Sequence, residues 1–327
     1  MSKNDLVVVT GAGGFIGGHL VRVLQQSGHS KIRAVDAKPL AEWYQKTPGV
    51  ENQVGDLALL EPCRKAANGA KVIYNLAADM GGMGFIETHK AECMLSVLIN
   101  THMLVAAKEA GTERFFFSSS ACVYNGDKQT RADVTALKEE DAYPALPEDG
   151  YGWEKLFSER MARHYREDYG IATRVARYHN VYGPEGTYDG GREKAPAAIC
   201  RKVAEAADGG EIQVWGDGSA IRSYTYVDDM VDGIFRLTQS HLDGPANIGC
   251  PDYVTVNHLV DIVAAVAKKG IRVRHVDGPV GVHSRNFSNA RIESLGWRAQ
   301  WPLRRGIEVT YPWIEAQVEA ACAERAA

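Results

Sequence analysis

Leu6-Val7-Val8-Val9-Thr10-Gly11-Ala12-Gly13-Gly14-Phe15-Ile16-Gly17 is the stretch that decides the fold of this chain. Leu6 to Val9 reads as a short buried strand, and Phe15 to Ser27 continues with helical periodicity. Between them Gly11, Gly14 and Gly17 stand at Gly-x-x-Gly-x-x-Gly spacing. Glycines at a strand–turn–helix junction permit a tight turn, let backbone N–H groups approach a pyrophosphate, and let the helix pack close to the strand. The anion then sits at the positive helix N-terminus. A turn used only for packing is the competing reading.

Asp36 closes the next candidate strand, 36 − 17 = 19 residues beyond Gly17. An acidic side chain at about that separation accepts hydrogen bonds from an adenosine ribose. Its carboxylate would repel a 2′-phosphate, which favours NAD over NADP; the competing reading is a residue that only caps a loop. The cofactor candidates are Gly11, Gly14, Phe15, Ile16, Gly17 and Asp36, joined by Asp56, Leu57, Leu76, Ala77 and Ala78 after later strands.

Working outward, the first half alternates short strands with longer helices. Expected strands are Leu6 to Val9, Lys31 to Val35, Lys71 to Leu76, Arg114 to Ser118 and Ala172 to Tyr178. Expected helices are Phe15 to Ser27, Ala91 to Glu109 and Tyr151 to Tyr169. This alternation predicts right-handed βαβ units and an α/β fold with a doubly wound parallel sheet of the Rossmann type. After Tyr182 the pattern loosens into a Gly-rich loop, a helix from about Ala195, and shorter elements at Gln213 to Gly218, Val254 to Lys268, Ile271 to Val276 and after Pro312. We expect a second, smaller mixed α/β domain. Residues 1–180, joined by 222–250, form the dinucleotide-binding domain, and 181–221 with 251–327 form the substrate domain.

Composition narrows the function. The 327 residues carry 37 Lys+Arg and 41 Asp+Glu, a net charge of −4, so no basic excess announces a nucleic-acid partner. No apolar run approaches the roughly 18 residues of a membrane helix, and the first residues do not read as a signal peptide. Six dispersed cysteines without paired metal-ligand spacing predict a reducing cytoplasm and no metal site.

Tyr151-Gly152-Trp153-Glu154-Lys155 places a phenol and an ammonium on one helical face. A nearby Lys⁺ favours the phenolate, so Lys155 is expected to lower the Tyr151 pKa and make it a usable base. Alone, that spacing is common on surface helices. Ser118-Ser119-Ser120-Ala121-Cys122-Val123-Tyr124 follows a strand, at the sheet edge where doubly wound folds bind ligands. Together these three features resemble the extended short-chain dehydrogenase/reductase family, over nearly the whole chain. The resemblance implies that Tyr151 is the catalytic base, that Lys155 tunes it and binds the nicotinamide ribose, and that Ser120 orients the substrate.

Three longer runs, Asn75 to Ile86, Ser119 to Tyr124 and Gly190 to Ala198, are similar to the branch of that family formed by the GDP-mannose 3,5-epimerases. That resemblance implies a nucleotide-sugar substrate, GDP-mannose. The substrate is oxidised transiently at C4 with NAD, enolised at C5 and C3, and reduced again to GDP-L-galactose. It implies Cys122 and Lys194 as the acid–base pair. It also implies substrate contacts from Gly81, Gly82, Ser120, Asn180, Glu193, Lys194, Lys202, Arg222 and Arg285. For Cys122 alone the ordinary fate of a free cysteine is a small buried hydrophobe; for Lys194, Lys202, Arg222 or Arg285 alone it is a solvated charge.

Two departures from the plant members are expected to matter: Ala220 replaces a Gln able to reach the nucleotide, and the chain ends without their longer C-terminal tail. Rival readings are another nucleotide-sugar 4-epimerase or 4,6-dehydratase, and a dinucleotide-sensing scaffold without catalysis. Family members pair through two helices, here Ala91 to Glu109 and Tyr151 to Tyr169, so a homodimer is expected.

Overall fold

The computed structural model describes residues 2–129, 135–278 and 285–326. Its strands are β1 (Val7–Thr10), β2 (Ile32–Asp36), β3 (Glu51–Val54), β4 (Val72–Asn75), β5 (Arg114–Ser120), β6 (Ala172–Tyr178), β7 (Asn180–Tyr182), β8 (Glu211–Trp215), β9 (Ile221–Tyr226), β10 (Pro245–Ile248), β11 (Tyr253–Thr255) and β12 (Arg272–Val276). Its helices are α1 (Phe15–Gln26), α2 (Leu60–Ala67), α3 (Met83–Thr88), α4 (Lys90–Glu109), α5 (Tyr151–Tyr169), α6 (Ala195–Glu205), α7 (Val227–Gln239), α8 (Val256–Ala267), α9 (Ala290–Glu293) and α10 (Leu303–Ala326).

Seven strands form one sheet in the order β10-β6-β5-β4-β1-β2-β3, and every neighbouring pair is parallel. The pleat sends alternate residues to opposite faces. Val7, Val9, Ile32, Ala34, Val72, Tyr74 and Phe116 meet Leu20 and Leu24 of α1 and Met230 and Ile234 of α7 on one face. Val8, Val35, Ile73, Phe115 and Phe117 meet Cys63 of α2, Met103 and Leu104 of α4 and Ala162 of α5 on the other. Such double burial is why these strands read as apolar runs rather than alternating ones.

The doubly wound sheet expected from the sequence is therefore present, with two edge strands outside the five expected ranges. β3, Glu51-Asn52-Gln53-Val54, has no buried residue; an edge strand lined with polar residues lacks the hydrophobic signature of a core strand. β10 returns to the sheet beside β6 after α7, a long-range pairing with no local mark. The remaining strands lie in a three-stranded sheet, β11-β9-β7, and a parallel pair, β12-β8.

The C-terminal helix departs from expectation too: it starts at Leu303, and Pro312 lies inside it. An interior proline costs about 3 kcal/mol. The helix accommodates it because Ile307, Tyr311, Ile314 and Val318 bury one face in the core shared with α6 and α8.

Candidate active site

The carboxyl ends of the parallel strands share one edge of the sheet, and there a cavity of about 660 Å³ opens. At the end of β1, Gly11 takes φ +67°, a left-handed conformation that favours glycine. A Cβ on Gly17 would fall 2.1 Å from the Gly11 carbonyl oxygen, so turn and helix touch there and only glycine fits. Thr10 fastens the turn to β4: its hydroxyl donates to Asn75 Oδ1 (2.8 Å) and accepts from the amides of Leu76 and Ala77 (3.1 Å each). The Asp36 carboxylate accepts from the Gly13 and Lys38 amides at 3.0 Å each. It thus caps the loop and also lines the cavity.

At the end of β5, Ser120 Oγ accepts from the Cys122 amide at 3.2 Å and caps a single tight turn, Ala121–Val123. Cys122 and Tyr151 are buried together against Phe85, Ile86 and Cys93. Burial pushes the Cys122 thiol up; the Arg285 guanidinium above all, with Ser120 and Lys194, outweighs burial and leaves its pKa below the ordinary thiol value. Lys194 caps the N-terminus of α6. Burial lowers its pKa below that of an ordinary lysine, against the pull of the Cys122 charge. Both the thiol and the amine are thereby stronger acids than in water, as suits a proton-exchanging pair.

Tyr151 corrects the sequence reading. Its phenol lies well above the ordinary value, driven first by burial and then by the charges of Cys122 and Glu154. Lys155 does not offset this, because its ammonium lies 3.4 Å from Glu154 Oε2 and 5.5 Å from the centre of the Tyr151 ring. The helix that carries both residues is held beneath the site by a buried ion pair. Arg177 on β6 donates from Nε and Nη2 to Glu159 Oε1 (2.9 Å) and Oε2 (2.7 Å), and Ser119 donates to Glu159 at 2.5 Å.

Residues 7–249 match the NAD dependent epimerase/dehydratase family. The chain belongs to that family. Among relatives, a GDP-mannose 3,5-epimerase of Arabidopsis thaliana is 43% identical over 97% of this chain and 84% of its own length. GDP-mannose 3,5-epimerase 1 of Oryza sativa subsp. japonica is 44% identical over the same shares. A solved structure, MoeE5 in complex with UDP-glucuronic acid and NAD, superposes with a TM-score of 0.80 at 30% identity, covering 95% of this chain and 99% of that one. UDP-glucose 4-epimerase of Thermotoga maritima with UDP-glucose superposes at 0.84 over 95% of this chain and 99% of its own, at 22% identity, and so speaks for the fold alone.

NAD is the cofactor of the NAD dependent epimerase/dehydratase family, and this cavity suits it. Gly11 and Gly14 line it at the N-terminus of α1, where backbone amides favour a pyrophosphate, and Asp36 lines it at the end of β2, the position from which a carboxylate accepts from a ribose. Every cofactor candidate read from the sequence lies on the cavity wall: Gly11, Gly14, Phe15, Ile16, Gly17, Asp36, Asp56, Leu57, Leu76, Ala77, Ala78, Tyr151 and Lys155. So do Ser120, Cys122, Asn180, Lys194 and Arg285.

The other substrate candidates lie off that wall. Gly82 forms a seat for the loop before α6: its amide donates to Arg192 O (2.9 Å), and a Cβ there would sit 2.3 Å from Glu193 O. A Cβ on Gly81 would meet the Phe85 side chain at 2.7 Å. Glu193 accepts from Arg201 Nη2 at 3.2 Å through Oε1, while its Oε2 is buried without a partner. Lys202 Nζ donates to Gln213 O at 2.8 Å, and Arg222 Nη1 to Ile221 O at 2.8 Å. Asn180, on the wall, donates to Ser223 O at 3.2 Å.

His179, which the sequence reads as a structural residue, also lines the cavity, as do Tyr253 and Phe287, which sequence reasoning missed. His179 lies against Phe287 with ring centres 4.5 Å apart and the rings tilted by 47°, and both its ring nitrogens are buried without partners. Only its place beside Asn180 in the sequence could have marked it. Tyr253 and Phe287 stand in no motif.

Proposed function

We propose that this protein converts GDP-mannose to GDP-L-galactose, acting as an isomerase that inverts C3 and C5 of the hexose and leaves C4 as it was. The observation that carries this reading is the convergence of Cys122 and Lys194 on the same cavity as Tyr151 and Lys155. A simple oxidation needs only the last two. The 43–44% identity to plant GDP-mannose 3,5-epimerases supplies the substrate.

NAD, which the Gly11–Gly17 turn, Asp36 and Lys155 would hold, would supply reversible hydride acceptance at the sugar C4. Tyr151 receives the C4 hydroxyl proton as the C4 carbonyl forms, and gives it back at the end. Its raised pKa keeps the phenol protonated, a weak acid that still gives its proton to the more basic C4 alkoxide in that last step; the first depends on Lys155, which must shift its ammonium from Glu154 towards the phenolate and ribose. The 4-ketone acidifies only the hydrogens on C3 and C5. One member of the Cys122/Lys194 pair then removes such a proton as the C–H electrons pass into the enolate, and the other delivers a proton to the opposite face. The lowered pKa of each partner serves this exchange. Ser120 orients the C4 oxygen.

Asn180 and Lys202 are assigned to the diphosphate or the sugar, Arg222 to the diphosphate and nucleotide, and Gly81, Gly82 and Glu193 to the sugar; Arg285, which the resemblance also assigns to the nucleotide end, stands with Nη1 3.8 Å from the Cys122 sulfur. Residues 1–180 with 222–250 serve NAD, and 181–221 with 251–327 the nucleotide-sugar. Ala220 is buried, and its methyl offers the base no hydrogen bond, so guanine must be read elsewhere.

A homodimer through α4 and α5 is supported by Leu95, Leu98, Trp153 and Phe157, large apolar side chains left exposed on those two helices. Six free cysteines support a cytoplasmic setting. No helix among the described residues is long and apolar enough to cross a membrane.

Proton NMR of GDP-mannose with the protein and NAD in D₂O tests the reading. Deuterium at C5 and C3, hydrogen retained at C4 and a new galacto product are expected. Turnover at C4 without exchange at either neighbour would instead point to a 4-epimerase.

A further inference from the structure

Arg285 and Cys122 are 163 residues apart in the chain, yet Arg285 Nη1 lies 3.8 Å from the Cys122 sulfur. The other Nη of the same guanidinium donates to Glu148 Oε1. Glu148 also grips Cys122 directly, its amide donating to the Cys122 carbonyl at 2.9 Å. The loop that carries Glu148 is itself pinned on both flanks: the Gly126 amide donates to Leu146 O at 2.9 Å, and Asp149 pairs with Lys90 at 2.8 Å. The Arg285 Nε is buried without a partner. Among the described residues, Glu148 is therefore the one anion that fixes where this cation points.

We propose that Glu148 is a positioning residue that holds the Arg285 guanidinium against the Cys122 sulfur. This deepens the epimerase reading and rests on it for the role of Cys122 in turnover. A cation fixed beside a sulfur favours the thiolate, and one free to swing into the cavity does not. The other ionisable groups around Cys122 are Lys194, Arg222, Tyr151 and Cys93. Glu148 is tied to the sulfur through Arg285 and through its own amide on the Cys122 carbonyl, the two routes by which a change there reaches it.

The test is the pH dependence of iodoacetamide alkylation of Cys122 in the intact protein, followed by peptide mass spectrometry to separate it from the other cysteines. Glu148→Ala frees Arg285 and is expected to slow alkylation about tenfold at neutral pH, moving the titration up by about one unit. Glu148→Gln keeps an oxygen that accepts from Arg285 and is expected to titrate at or below the parent. An unchanged or lowered titration in Glu148→Ala overturns the proposal. So does an upward shift of equal size in both variants. The readout uses no GDP-mannose: a shifted thiol in a protein that shows no exchange at C5 supports the positioning role and refutes only the epimerase reading.

Discussion

Glu159→Ala should destabilise the protein out of proportion to the few atoms removed. Arg177 is 1% exposed and Glu159 7%. The carboxylate receives two charge-assisted bonds from Arg177 and one from Ser119. Arg177's remaining named donor, Nη1, is committed to Glu139 O at 2.7 Å, so the guanidinium cannot turn elsewhere without breaking a second contact. Removing one partner of a buried pair leaves the other charge stranded, at a cost of about 3–5 kcal/mol. That is a large share of the roughly 5–15 kcal/mol that holds a typical domain together.

Glu159→Gln keeps an acceptor and should lose about half as much, roughly 1.5–3 kcal/mol, the worth of hydrogen bonds to a charged group. Glu159→Leu combined with Arg177→Met removes both charges. It should recover most of the loss, since apolar replacement of a buried pair is often neutral or favourable. Urea unfolding followed by fluorescence of the six tryptophans reads all three. A cost below about 1 kcal/mol for Glu159→Ala, in the range of an exposed pair, would refute the argument. A double variant as unstable as the summed single ones would do the same.

Cys122→Ala should cut deuterium exchange at C5 by about 10²- to 10⁴-fold, the usual worth of a general acid–base group, while NADH still forms on mixing with GDP-mannose; loss of both together would count against the assignment. Gly17→Ala would bring a Cβ to 2.1 Å from the Gly11 carbonyl oxygen, so the purified protein should lose its NAD binding, measurable by fluorescence titration. His19 accepts from Arg22 through Nδ1 (2.8 Å) and donates to Pro184 O through Nε2 (3.1 Å). Burial, above all, drives its pKa from 6.5 to about 4. The folded pKa is depressed, so the unfolded chain binds the extra proton first: this stability is present above pH 6.5 and is lost as pH falls towards 4. Urea midpoints across that window should slope less in His19→Gln than in the parent. Leu95→Lys with Phe157→Glu, on the exposed faces of α4 and α5, should halve the mass measured by light scattering if the proposed dimer forms there.

What the sequence determined by itself is local. The strand–turn–helix at Leu6 to Gly17, the helix Tyr151–Tyr169 and the strand Ala172–Tyr178 follow from apolar spacing and glycine placement within a few turns of chain, and the structure has all three. The cofactor wall was legible for the same reason, since its residues follow the ends of parallel strands or, as with Tyr151 and Lys155, share one face of a single helix. Tertiary structure decided whatever depends on partners distant in the chain. β3 and β10 became strands because β2 and β6 offered them an edge; Pro312 stayed helical because a buried face outweighed it. The acidity of the site was hidden for that reason as well. Tyr151 and Lys155 are four residues apart, yet the Tyr151 pKa is set by burial, Cys122 and the Glu154 that draws Lys155 away. Cys122 owes its lowered pKa to Arg285, 163 residues further on. Backbone preferences act over a few residues, whereas desolvation and Coulomb forces act through space, and only the fold says which groups are near.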